Sequence, residues 1–95
     1  MSMKDAYLQK MDAQMEEWNS EIDKMKAKAD KADADAKLNY YEQIEELNTK
    51  QQAAQEKLRE LKNSGEDAWE DLKAGFELAR VSLREAVTSA GSRFQ

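Results

Sequence analysis

From Leu8 to Leu61 the larger apolar side chains, and the alanines that stand in for them, recur three and four residues apart. Leu8, Met11, Met15, Trp18, Ile22 and Met25 open this seam. Ala29, Ala32 and Ala36 continue it, and Leu47, Gln51, Ala54, Leu58 and Leu61 complete it. Such spacing lines one face of a helix and is the pattern of coiled coils. One irregularity interrupts it: Ala36, Tyr40 and Ile44 lie four apart twice, a stutter that locally unwinds a left-handed supercoil. Tyr40 is expected to fill the widened seam. With no Pro in the chain to break it, the spacing predicts one long helix over 4–62. Residues 26–37, an Ala/Lys/Asp run, hold no large apolar side chain. Ala keeps helix propensity high there while packing stays thin, which makes this run the expected soft spot.

The clustered turn formers Asn63, Ser64 and Gly65 predict a reversal over 63–66. Gly65 can adopt the left-handed conformation that ends a helix. Ser64 with Asp67, or Asp67 with Glu70, offers an N-capping frame for the next helix. That helix opens on Glu66, Asp67, Glu70 and Asp71 and closes on Arg80, Arg84 and Arg93, as its dipole favours. A continuous rod is the alternative, because the register also carries straight through Leu58, Leu61, Gly65, Ala68 and Leu72. The second helix is expected over 67–90, with Trp69, Leu72, Phe76, Ala79, Leu83, Ala86, Val87 and Ala90 on one arc and a frayed tail over 91–95. Leu78 and Val81 fall outside that arc, as candidates for a second contact.

Reversal about residue 64 sets the second helix against the carboxyl-terminal half of the first. Tyr40, Ile44, Leu47, Leu58, Leu61, Trp69, Leu72, Phe76 and Leu83 are then the hairpin packing residues, large side chains meeting small ones. The arms are unequal, at roughly 88 Å and 38 Å. Ninety-five residues with only seven aromatic side chains build no thick core in one copy. Leu8, Met11, Met15, Trp18, Ile22 and Met25, beyond the reach of the short arm, are therefore expected to form an oligomer interface, most simply a homodimer.

Chemistry is sparse. The chain has no His and no Cys, no Ser beside a plausible base and no Gly-rich phosphate loop, so an enzyme is not expected. A net charge of −5 opposes nucleic-acid binding. Asp30, Asp33 and Asp35 suggest a hard-cation site, but Asp35 points away from the other two on a helix and lysines are interleaved. They read as a solvated face. Met11 and Met15 suggest a soft-metal pair but occupy seam positions, where Met is ordinary filler. No cofactor and no metal are expected. Trp18 and Trp69 are likewise seam residues before they are a ligand box. The second helix, with its cationic border, supports an alternative as a peripheral membrane or lipid-surface helix; its acidic opening and Ala content favour protein packing. The amino terminus runs into charged helix and no 18-residue apolar run exists, so a soluble, cytoplasmic protein is expected.

Four segments resemble a family of small bacterial coiled-coil proteins, some of them described as stress-response proteins. They are Trp18 to Lys24, the Lys26-to-Lys37 run, Gln43 to Leu47 and Glu66 to Gly75, the last being the most specific. The likeness extends from about Asp5 to Phe94. It implies a helical, non-enzymatic protein and brings no catalytic or ligand residues with it. The expectation is therefore all-α: a long-helix coiled coil, a helical hairpin with unequal arms, oligomeric. Its function is structural or interactive, through that surface, with itself and an unidentified protein as partners.

Overall fold

Ser2 starts the first helix by accepting the Asp5 amide on its hydroxyl at 3.1 Å, satisfying one of the donors a helix start leaves unpaired. In the computed structural model, which describes residues 2–93, three helices follow: α1 (Met3–Asp30), α2 (Ala34–Lys62) and α3 (Trp69–Arg93). Among the described residues there is no strand. Met1, Phe94 and Gln95 lie outside the described residues, so the frayed-tail expectation applies there only to 91–93, which are helical.

The expected single helix over 4–62 is corrected: it is two helices, broken at 31–33. The break lies inside the thin Ala/Lys/Asp run and just before the stutter. Asp33 makes it. Its backbone turns extended (φ −70°, ψ 171°) and its Oδ1 accepts the Ala36 amide at 2.9 Å as the N-cap of α2. Lys31 closes α1 with its amide on Lys28 O and Ala29 O. The interruption forfeits a few backbone hydrogen bonds, each worth about 1 kcal/mol net. Folding α1 back buries Met11, Met15, Trp18, Ile22 and Met25, each contributing about 1.5–3 kcal/mol. Burial wins.

A two-armed hairpin is therefore replaced by three helices of 28, 29 and 25 residues, packed side by side in a body 51 × 21 × 18 Å. Helix α1 runs antiparallel to α2, with Asp12, Asn19 and Asp30 reaching Lys62, Gln51 and Tyr41. It runs parallel to α3, with Tyr7 and Gln14 reaching Glu77 and Arg80. The core is one continuous cluster containing Met11, Met15, Trp18, Ile22, Met25 and Ala29 from α1. Ile44, Leu47, Ala54, Leu58 and Leu61 come from α2, and Phe76, Leu83, Val87 and Ala90 from α3. The reason given for an oligomer interface, apolar surface on the first helix left uncovered by its own chain, is corrected accordingly. That surface is covered by α2 and α3.

The connection from α2 to α3 covers 63–68, slightly longer than the expected 63–66. It turns without the left-handed glycine that the sequence suggests, since no described residue has positive φ. Ser64 supplies the device instead. Its amide and hydroxyl both donate to Leu61 O, at 3.2 and 2.7 Å, so Ser64 ends α2 and does not cap α3. Tight turns from Ala68 N to Gly65 O and Trp69 N to Glu66 O lead into α3.

Candidate functional site

The densest side-chain network lies where the start of α1 meets the start of α3. Tyr7 stands edge-on to Trp69 and Phe76, with ring centroids 5.9 and 6.4 Å away and near-perpendicular planes, the arrangement that aromatic quadrupoles prefer. Lys73 Nζ sits 4.8 Å from the Tyr7 centroid and Lys4 Nζ 4.9 Å from that of Trp69. Lys4 also donates to Ser64 O at 3.0 Å, tying the start of α1 to the start of the α2–α3 connection.

Beside the rings, the Tyr7 hydroxyl donates to Glu77 Oε1. Arg80 grips Glu77 Oε2 through Nε and Nη2 at 3.0 and 2.8 Å, and its Nη1 donates to Gln14 Oε1 at 3.1 Å. Burial, then the hydrogen bond to Glu77 and its charge, push the Tyr7 hydroxyl well above its ordinary pKa, against a smaller opposing effect of Arg80. Burial also pushes Glu77 up. The hydrogen bonds from Arg80 and Tyr7, with the charges of Arg80 and Lys73, outweigh it and hold the carboxyl below its ordinary value. The arrangement stabilises the ionised Glu77 and the neutral Tyr7, and braces α1 against α3.

Among the described residues, depressions lie along two of the helix boundaries. One, about 260 Å³, lies between α2 and α3 and is walled by Gln43, Glu46, Lys50, Glu85, Ser89 and Arg93 over Leu47 and Ala90. Gln43 Oε1 is buried there without a hydrogen-bond partner among the described residues. The other, about 330 Å³, lies between α1 and the end of α3, over Met25 and Gly91.

Of the residues expected at an oligomer interface, Met11, Met15, Trp18, Ile22 and Met25 are buried within one chain and Leu8 packs against them. Of the hairpin set, Ile44, Leu47, Leu58, Leu61, Phe76 and Leu83 are buried, and Tyr40, Trp69 and Leu72 are partly buried against the same core. Leu78 is 77% exposed and Val81 is half-buried. Asp30 and Asp33 serve the hinge, Asp30 accepting the Tyr41 hydroxyl at 2.5 Å and Asp33 capping α2. Among the described residues no three acidic side chains gather as a metal site. The spacing pattern missed Tyr7, Glu77 and Gln14. Tyr7 stands four residues before Met11, and that step was the one available signal.

No family model matches the chain, and comparison with curated proteins and with solved structures likewise finds no match. Among the described residues no helix is long and apolar enough to cross a membrane.

Proposed function

We propose that this is a non-enzymatic structural or interaction protein of the cytoplasm, stress-associated as some members of the family it resembles are described, that works through its helical surface and associates with itself. One observation supports the non-enzymatic reading above others. The partly buried ionisable pair, Tyr7 and Glu77, has its pKa values moved in opposite directions, both away from neutrality. General acid–base catalysis needs groups moved toward the working pH. These groups are spent on holding two helices together.

The coiled-coil and oligomeric character belong to the same proposal. Exposed Leu78 with half-buried Val81 on α3, exposed Leu38 on α2 and exposed Met3 on α1 leave apolar side chains on a largely polar surface. A lipid-surface role has less behind it, because the apolar arc of α3, from Phe76 through Leu83 and Val87 to Ala90, is turned into the core. Sedimentation equilibrium over a concentration series tests the association. A mass that rises with concentration is expected. A fixed monomer mass throughout removes self-association from the proposal.

A further inference from the structure

Helix α1 is held to the rest of the fold by a hinge with unusual chemistry. Lys31, Ala32 and Asp33 include neither Gly nor Pro, and none has positive φ. Lys31 is already in the right-handed region (φ −93°, ψ −6°), and the Lys31 and Ala32 amides bond back to Lys28 and Ala29 O as in a tight final turn. The backbone leaves the helix at Asp33. The surrounding run, 26–37, consists of Ala, Lys and Asp, residues that a straight helix accepts at low cost. The closed turn is therefore held chiefly by one N-cap and by the tertiary contacts of α1.

The register of those contacts is centred elsewhere. Asp12 with Lys62, Asn19 with Gln51 and Asp30 with Tyr41 are each centred within about one residue of Ala36, inside α2 and not at the hinge. An antiparallel pair of straight helices from two copies, related by a two-fold axis at Ala36, has the same register. At that axis Ala36 meets Ala36, and one turn away Ala32 of each copy faces Tyr40 of the other, a small side chain against a large one on both sides of the axis.

We propose that the groove between α2 and α3 takes α1 of a second copy in place of its own, in a reciprocal exchange. The proposal rests on the self-association reading and names its route. Straightening 31–33 joins α1 to α2, and each α1 seats Met11, Met15, Trp18, Ile22 and Met25 in the partner's groove. The contacts re-form between chains and the hinge alone changes, which is the condition under which exchange is a low-cost route to a dimer. Concentration then sets the balance between closed and exchanged forms.

Ala34→Pro separates the two forms. Ala34 is the first residue of α2, and the preceding Asp33 is extended, so Pro suits the closed turn. Inside a straight helix the same Pro interrupts the hydrogen-bond ladder, a penalty of roughly a hundredfold per helix and, with two per dimer, about 10⁴-fold in the dimerisation constant. Asp33→Ala acts in reverse. Loss of the cap raises the dimer constant by roughly fivefold per hinge.

The experiment is sedimentation velocity with small-angle scattering on the full chain, wild type and both variants, each refolded at low and at high concentration. A wild-type dimer about 90 Å long is expected, the length of a helix over 3–62, against 51 Å for the closed chain. Ala34→Pro is expected to stay monomeric with unchanged helicity, and Asp33→Ala to dimerise more. A wild-type dimer no longer than the closed chain, or one that persists in Ala34→Pro, overturns exchange while leaving self-association in place. A wild type that is monomeric after refolding at high concentration overturns both. Should Ala34→Pro not fold, the wild-type dimer length decides.

Discussion

The Tyr7 hydroxyl of α1 donates to the Glu77 carboxylate of α3, residues 70 apart in sequence, and the Tyr7 ring fills the corner between Trp69 and Phe76. One side chain thus carries both a polar and an apolar tie between the two parallel helices. Its contribution depends on pH in a definite way. Glu77 has a folded-state pKa below its ordinary value, so its stabilisation is present above the ordinary carboxylate range and is lost as pH falls through the lowered value. Tyr7 has a raised folded-state pKa, so its stabilisation is present below the ordinary tyrosine value of about 10 and is lost as pH rises beyond it. Tyr7→Phe is expected to cost about 1 kcal/mol between those limits. Urea denaturation of wild type and variant from acid to alkaline pH measures the difference, which narrows at both ends. A constant difference across the range contradicts the assignment.

Phe76 and Leu78 are two residues apart on α3 and opposite in environment, the first fully buried and the second 77% exposed. Phe76→Ala is expected to destabilise by about 3–5 kcal/mol, and Leu78→Ala by less than about 0.5 kcal/mol. Thermal melts at one dilute concentration compare the two. Similar losses would mean that α3 presents a different face to the core.

Gly75 lies inside α3, and a Cβ added there meets nothing within 4 Å. Gly75→Ala is expected to stabilise by about 0.5–1 kcal/mol, because Gly in a helix interior costs backbone entropy and Ala does not. Chemical denaturation reads this directly, and a loss of stability would place an unrecognised neighbour at that position.

Trp18 is 8% exposed within a single chain. Trp18→Ala is expected to cost about 3–5 kcal/mol of fold stability even at dilution where no dimer forms. Unfolding of the variant at low concentration tests it. A loss seen only at high concentration would return Trp18 to an interface between copies.

Lys62 and Asp12 form a 2.7 Å ion pair between α2 and α1, but both side chains are more than two-fifths exposed. Lys62→Ala is expected to change stability by less than about 1 kcal/mol, and added salt shrinks the effect further. Denaturation at low and high ionic strength checks both parts.

Apolar periodicity alone picks out Met11, Met15, Trp18, Ile22, Met25, Leu47, Leu58 and Leu61 as one stripe, and each of these is buried. That much is local, because a helix of fixed pitch brings residues three and four apart onto one face whatever covers it. What covers the stripe is not a local property. Asp33 as an N-cap and Asp33 as an ordinary helical residue differ by about 1 kcal/mol, too little for the run from Lys26 to Lys37 to declare itself broken or straight. Burial of the α1 side chains against α2 and α3 outweighs that difference, and it exists only once the chain has folded back. Tyr7, Glu77 and Arg80 follow the same rule. Helical periodicity names the side chains that leave water; that their own chain receives them follows from the folded arrangement, because the energies that choose between partners are summed over contacts distant in sequence.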